Sequence, residues 1–486
     1  MNSPDQKQQT QQHREMVLSA CGLQGQRVLV VGLGLTGLSV IRFLEWLELP
    51  FEIADNHISD ERLQEARAKN SSAGQWKLHR EFSDELFQRF DMLIVSPGVP
   101  LAVPEFSAAR LAGVEVLGDI ALFARISNTR LIAVTGSNGK STVVAWLAHV
   151  LAGSDMSVEM AGNIGKPVLD LVVDGNMNCD VVVLELSSFQ LELVKDLPSL
   201  AATVLNISED HLDRYESIEA YAATKAGIYS STSHCVLNAD DTAAWPEQLP
   251  KSVVLAIFSS ASNMQQPQLQ QRLPEHVKAA DYTLVNVQRL KGEDWLMVND
   301  EAVLPVAKIA LAGRHNVSNA LAVIALLQPL GIPQAVLKER LPSFFGLPHR
   351  MQLVAETNGV RWFNDSKGTN VDACVKAITG IGAPVVLIAG GLGKGADFTV
   401  LREPVAKCVQ AVVLFGEDAG QLRQALSDLV VCHDATDMQD AVQQASMLAA
   451  QGDVVLLSPA CASFDMFKSF EHRGEVFMDE VRRLAA

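Results

Sequence analysis

The stretch LIAVTGSNGKSTVVAWLAHVL, from Leu131 to Leu151, constrains this chain more than any other. Its apolar, β-branched start, Leu131 to Val134, reads as a buried strand. From Ser141 onwards Val144, Leu147, Ala148 and Leu151 recur at helical spacing. Between them lies a turn with Gly136 and Gly139, where backbone N–H groups can approach phosphate oxygens because no Cβ intervenes. Gly136, Ser137, Asn138 and Gly139 form the cradle, Lys140 adds positive charge, and Ser141 and Thr142 offer hydroxyls to Mg²⁺. The spacing is shorter than G-x-x-x-x-G-K-[ST], whose first glycine would fall on Val134. We read the unit as a phosphate loop that binds ATP.

The chain has 486 residues, which at about 100–200 residues per domain suggests roughly three domains. A formal net charge of −17 argues against a nucleic-acid or anionic-membrane surface, so anionic ligands must be held by local Lys, Arg and helix N-termini. The seven cysteines are scattered without a C-x-x-C pair, as expected of reduced thiols in a cytoplasm, and make a zinc site improbable. No apolar run reaches the ~18 residues of a membrane span, and no secretory signal precedes the first strand. A soluble, cytoplasmic monomer is expected.

Residues 1–24, polar and Gln-rich at their start, are expected to form a flexible tail. QRVLVVGLGLTGLSVIRFLEWL then supplies a strand, Gly32, Gly34 and Gly37, and a helix, with Asp55 ending the next strand. This pattern fits a dinucleotide, another nucleotide, or merely a tight turn of a doubly wound sheet. DMLIVSPGVP places Ser96, Pro97 and Gly98 at the end of a third strand, and a boundary is set near Gly118. Past the phosphate loop, AGNIGKPV offers Asn163 and Lys166. CDVVVLELSSFQL ends a strand on Glu185, where a Mg²⁺ ligand would be mounted. AATVLNISEDHLDRY repeats the plan with Asn206, Glu209, Asp210, His211 and Asp213.

The next helix, SIEAYAATKAGIYSS, puts Lys225 inside an apolar stripe of Ile218, Tyr221, Ala222, Ile228 and Tyr229. A lysine there is paired, snorkelled out, or neutral enough to be modified. About 259–300 the chain is Gln-rich and then hairpin-like. Asn316 and Asn319 follow at a helix start, which suits either N-capping or recognition of a base or ribose; capping accounts for one and leaves the second over. A second boundary falls near Gly346. Beyond it strands and helices alternate again, with loops NDSKGTN (Asp365, Ser366, Lys367, Thr369, Asn370), GGLGKGADF (Lys394) and SPACASFDMFKSF (Ser463, Phe464, Phe470). Ser463 should open the helix FDMFKSF, a carboxylate site.

With these residues in order, the chain resembles the Mur ligase family of ATP-dependent amide-forming enzymes. TGSNGKST, ELSSFQLE, EDHLDRY, GRHNVSNAL, LPHRM, NDSKGTN and SPACASFDMFKSFEHRG carry the likeness, which spans the chain from about Gly25. The resemblance implies an α/β protein of three domains: 25–118, Rossmann-like, for a UDP substrate; 119–346, P-loop ATPase-like; and 347–486, Rossmann-like, for an incoming amino acid. It implies UDP-N-acetylmuramoyl-L-alanine and D-glutamate as substrates in peptidoglycan synthesis. Leu35, Thr36, Asp55, Ser96, Gly98 and Asn163 would line the UDP-substrate site. Two Mg²⁺ ions would be held by Ser141, Glu185, His211 and a CO₂-derived carbamate on Lys225, with Lys140, Glu185, His211 and Lys225 as the catalytic set. Asn316, Arg350 and Asp365 would join the loop in holding ATP. Lys367, Thr369, Lys394, Ser463, Phe464 and Phe470 would surround D-glutamate. The other readings are a sibling ligase, either L-alanine-adding or folylpolyglutamate synthetase-like, a nicotinamide-dependent dehydrogenase, and a non-catalytic nucleotide sensor.

Overall fold

The computed structural model describes residues 4–68, 76–208, 214–249, 253–262, 273, 282–311, 313–393 and 395–485. They form two compact units, Met1–Phe344 and Phe345–Ala486. The boundary expected near Gly118 runs through the first unit, where it marks a change of sheet.

The first sheet of that unit is wholly parallel, in the order β3-β2-β1-β4-β5. Its strands are β1 (Val28–Val31), β2 (Phe51–Ala54), β3 (Leu78–His79), β4 (Met92–Val95) and β5 (Glu115–Leu117). Val28 and Val30 join one hydrophobic core while Leu29 and Val31 join another. Both faces of β1 are therefore covered, which is why its residues read as an unbroken apolar run. Strand order reverses between β1 and β4, and the turns Gly32–Gly37 and Ser96–Gly98 leave the carboxyl ends of these two strands, where such sheets bind ligands. Gly37 is required there because a Cβ would stand 1.9 Å from the Gly32 carbonyl oxygen. The helix Leu35–Trp46 can thus press against the end of β1.

The tail expected at residues 1–24 is corrected by the structure: Pro4–Cys21 form an α-helix. Val17, Cys21 and Leu23 are buried in the core that includes Val28, and the Arg14 guanidinium lies 5.6 Å from the Trp46 ring centroid. The Gln-rich composition hid this because only the last turns carry apolar side chains.

The second sheet of the unit has nine strands in the order β14-β13-β12-β11-β10-β9-β6-β8-β7. These are β6 (Arg130–Thr135), β7 (Val158–Gly162), β8 (Val181–Glu185), β9 (Ser199–Val204), β10 (Thr232–Asn238), β11 (Val254–Ser262), β12 (Tyr282–Leu290), β13 (Glu293–Val298) and β14 (Glu301–Pro305). The ladder is parallel from β7 to β12, and β13 and β14 are added antiparallel, with β12 and β13 as the foreseen hairpin. β6 lies between β8 and β9, with Val134 level with both Glu185 and Thr203. That register sets Glu185 beside the phosphate turn. The two sheets are tied by the helices Leu35–Trp46 and Val168–Val173: Arg42 reaches both carboxylate oxygens of Asp170, at 2.8 and 2.6 Å, and Ser39 Oγ donates to the same carboxylate at 2.8 Å.

The unit Phe345–Ala486 has one sheet, β15-β16-β20-β17-β18-β19, in which only β15 is antiparallel. Its strands are β15 (Gln352–Thr357), β16 (Val360–Asn364), β17 (Val385–Gly390), β18 (Val409–Phe415), β19 (Val431–Asp434) and β20 (Val454–Leu457). Leu387 points into one core and Val386 and Ile388 into another, again covering both faces. The edge strand β19, four residues of mixed polarity, escaped the sequence reading. Among the described residues no helix is long and apolar enough to cross a membrane.

Candidate functional site

The phosphate turn follows β6, and the helix Lys140–Leu151 starts from Gly139 at φ +85°. A side chain at Gly139 would be strained by that φ, and its Cβ would stand 2.7 Å from Asn319 Oδ1. The turn is pinned from the end of β9. Asn138 N–H donates to Asn206 Oδ1 at 2.8 Å, Asn206 Nδ2 returns a bond to the Asn138 carbonyl at 3.1 Å, and Ser208 N–H donates to Ser137 Oγ at 2.9 Å. Lys140 Nζ bridges the mouth of the turn, bonding to the carbonyls of Gly136 at 2.8 Å and Ser137 at 3.0 Å. Ser141 is buried and Thr142 half-buried in the first turn of the helix.

Asn316 and Asn319 do not cap their helix, contrary to expectation. The N-cap is Gly313, and the two amides bond to each other at 3.2 Å, with Asn319 against the phosphate turn.

Glu185 is 2% exposed. Its Oε1 accepts from Asn163 Nδ2 at 2.7 Å, and its buried Oε2 has no hydrogen-bond partner among the described residues. A buried carboxylate oxygen without a donor is costly unless a cation faces it, and an oxygen site suits Mg²⁺. Lys225 is 1% exposed; its Nζ donates to Thr135 Oγ1 at 3.2 Å and to the Gly136 carbonyl at 3.1 Å, and lies 4.7 Å from the Tyr221 ring centroid. Lys225 is thus buried, as its place in the apolar stripe implies, and it points at the phosphate turn. Glu209, Asp210, His211 and Asp213 lie outside the described residues. No three His, Cys, Asp or Glu among the described residues form a metal cluster.

A cavity of about 850 Å³ joins Lys140, Asn163 and Lys225 to the first sheet. Leu35, Thr36, Asp55, Ser96 and Gly98 line it from one side, and Lys140, Asn163 and Lys225 from the other. Leu35 is 83% exposed, an apolar side chain presented to the opening. Asp55 organises the wall: its carboxylate accepts backbone N–H bonds from Leu33 at 2.7 Å, His57 at 2.9 Å and Ile58 at 2.8 Å. Ser96 Oγ donates to the Gly32 carbonyl at 2.9 Å, binding the two turns together. Lys166 instead pairs with Asp174 at 3.0 Å on the surface.

In the second unit Asp365 directly follows β16, its carboxylate accepting from Met351 N–H at 3.1 Å and Ser458 Oγ at 2.8 Å. Burial pushes its pKa up to about 6, against the opposing effects of these bonds and of the Arg350 charge. Arg350 is exposed and flanked by His349 and Met351 at φ +61° and +44°, so a tight backbone reversal presents it. Arg473, fully buried, joins two loops: Nε donates to Ser366 Oγ at 2.9 Å, Nη2 to the Ser366 carbonyl at 2.8 Å and Nη1 to the Cys461 carbonyl at 3.1 Å. Burial lowers its pKa to about 10. Lys367 Nζ lies 5.3 Å from the Phe470 ring centroid, Thr369 is half-buried, Ser463 is buried and Phe464 exposed. Asn370 caps the helix Val371–Gly380. The helix expected to open at Ser463 begins instead at Phe470, because residues 464–469 form turns. Lys394 lies outside the described residues. Arg473 stood within the quoted motif EHRG but had no reason to be singled out before its burial was known.

Comparison with known proteins places three family descriptions along the chain: "Mur ligase MurD-like, N-terminal domain" over residues 26–118, "Mur ligase middle domain" over 134–327 and "Mur ligase, glutamate ligase domain" over 349–461. A protein of Methylobacillus flagellatus named UDP-N-acetylmuramoylalanine--D-glutamate ligase is 43% identical, over 95% of this chain and 98% of its own. One of the same name from Nitrosococcus oceani is 43% identical over 94% and 96%. Among solved structures, UDP-N-acetylmuramate-alanine ligase MurC from Thermotoga maritima is similar in fold, with a TM-score of 0.52, 20% identity and coverage of 94% of this chain and 100% of that one.

Proposed function

This chain belongs to the Mur ligase family, and we propose that it joins D-glutamate to UDP-N-acetylmuramoyl-L-alanine at the expense of ATP, in cytoplasmic peptidoglycan precursor synthesis. The observation that carries this reading is the single cavity in which the turns of the first sheet face Lys140, Glu185's partner Asn163 and Lys225. One wall suits a UDP-linked acid and the other a triphosphate.

In this reading the amides of Gly136–Gly139 and the Lys140 ammonium hold the β- and γ-phosphates, and the helix dipole adds to their pull. The terminal carboxylate of the UDP substrate attacks the γ-phosphorus. ADP leaves and an acyl phosphate forms. The amine of D-glutamate then attacks the acyl carbon, the tetrahedral adduct collapses, and inorganic phosphate departs. Reacting atoms must approach to about 3–3.5 Å, so positioning carries much of the rate. Glu185, Ser141, His211 and a carbamate on Lys225 would hold Mg²⁺, which when bound supplies charge neutralisation at the phosphates. Asn316, Arg350 and Asp365 are assigned to ATP, and Lys367, Thr369, Lys394, Ser463, Phe464 and Phe470 to D-glutamate.

The test offers the purified protein ATP with UDP-N-acetylmuramoyl-L-alanine, with UDP-N-acetylmuramate or with no UDP substrate, each against a panel of L- and D-amino acids, following phosphate release. Release is expected with D-glutamate alone. Release with no UDP substrate present, or only with UDP-N-acetylmuramate and L-alanine, overturns the assignment.

A further inference from the structure

Arg214 follows the β9 loop and, among the described residues, bonds to none of the groups assigned above to phosphate or metal. Its side chain is 13% exposed, and all three guanidinium nitrogens donate hydrogen bonds. Nη1 donates to the Pro97 carbonyl at 3.1 Å and Nη2 to the Val99 carbonyl at 3.3 Å, both on the turn that leaves β4 in the first sheet. Nε and Nη2 donate to Glu192 at 3.2 and 2.6 Å, and Cζ lies 4.1 Å from the Phe189 ring centroid, just after β8 in the second sheet. Pro97, Val99 and Phe189 all line the 850 Å³ cavity. Tyr215 extends the link: its hydroxyl donates to Glu192 Oε1 at 2.5 Å, and its ring lies 5.2 Å from that of Tyr221, the residue over which Lys225 sits.

We infer that Arg214 is a positioning residue that fixes the cavity turn of the first sheet against the phosphate-binding sheet, so that a UDP-linked carboxylate arrives in register with the phosphate turn. This rests on the substrate assignment proposed above. The planar fork explains the choice of residue: one guanidinium satisfies two carbonyls of a turn and a carboxylate while stacking on a ring, which an ammonium cannot do. Arg42 and Asp170 tie the same two sheets through their helices but touch neither turn, so they serve as the internal control.

The experiment measures dissociation constants for UDP-N-acetylmuramoyl-L-alanine and for ATP by calorimetry on the full chain, with steady-state KM and kcat, for wild type, Arg214→Gln, Arg214→Lys and Arg42→Gln. In Arg214→Gln the affinity for the UDP substrate is expected to fall by about tenfold or more while ATP affinity stays within about twofold. Arg214→Lys should lie between, and methylguanidinium should partly restore Arg214→Gln. Arg42→Gln should lower the melting temperature without this selective loss. If Arg214→Gln does not fold, Arg214→Lys is read by the same criteria. Unchanged UDP-substrate affinity, or losses for both ligands that merely follow a fall in melting temperature, overturns the inference. Failure of the wild type to bind the UDP substrate strikes the substrate assignment instead.

Discussion

Asp365 holds a charge in a place that resists it. Its folded pKa, raised from 3.8 to about 6, means that the native chain binds this proton more tightly than the unfolded chain does. The sign follows: stability from this group is greatest at acid pH and is lost as pH rises between about 4 and 6, by on the order of 3 kcal/mol in full. Asp365→Asn keeps one acceptor oxygen and removes the slope. Urea unfolding at pH 4.5 and 7.5 should therefore show the variant gaining on wild type at the higher pH, while ATP-dependent turnover falls. A pH-independent difference would contradict the burial argument. At Lys225 the expectation concerns shape and charge together. Lys225→Ala leaves a buried gap beside the Gly136 carbonyl, and short carboxylic acids added to the assay should restore part of its turnover if a carbamate stands there in the wild type. No rescue in a folded variant would leave an unmodified lysine. Such residues show what the sequence could reveal. The burial of Lys225 was legible because one cation broke an apolar stripe, whereas the roles of Arg214 and Arg473 depend on carbonyls distant in the chain and left no local signal.

At the scale of elements, periodicity carried most of the fold. β1, β6, β8, β17, β18 and β20 are apolar runs closed by glycine or polar turns, and the helix after Gly139 repeats at 3.6 residues. Elements with weak patterns were missed. β19 is short and mixed, and the helix Pro4–Cys21 is polar for most of its length. The turns at 464–469 were mistaken for the start of the final helix because their phenylalanines and methionine imitate a helical stripe. The first helix is more than an ornament. Removing residues 1–24 strips Val17, Cys21 and Leu23 from the core, a gross loss of several kcal/mol, roughly 1.5–3 per large side chain, offset by the ordering entropy no longer required. Thermal unfolding of the truncated chain should shift down by several degrees with ATP affinity intact; an unchanged midpoint would show that the helix contributes nothing to stability.

For the whole molecule, the separation into Met1–Phe344 and Phe345–Ala486 divides the proposed labour. The cavity and the phosphate turn beside it both lie within the first unit. Residues 1–344 expressed alone should fold and bind the UDP substrate yet form no amide bond. Circular dichroism and calorimetry would check this, and an unfolded product would show that the units are not independent. Arg473 gives the second unit a mechanical character. Because one guanidinium fastens Ser366 to Cys461, the loops bearing Lys367 and Thr369 on one side and Ser463 on the other form a single jaw. If these loops hold the incoming amino acid as proposed, selection for a new one would have to resculpt both sides together, since a change that loosens one rim drags the opposite rim with it. Such a pocket evolves by paired steps or stands still.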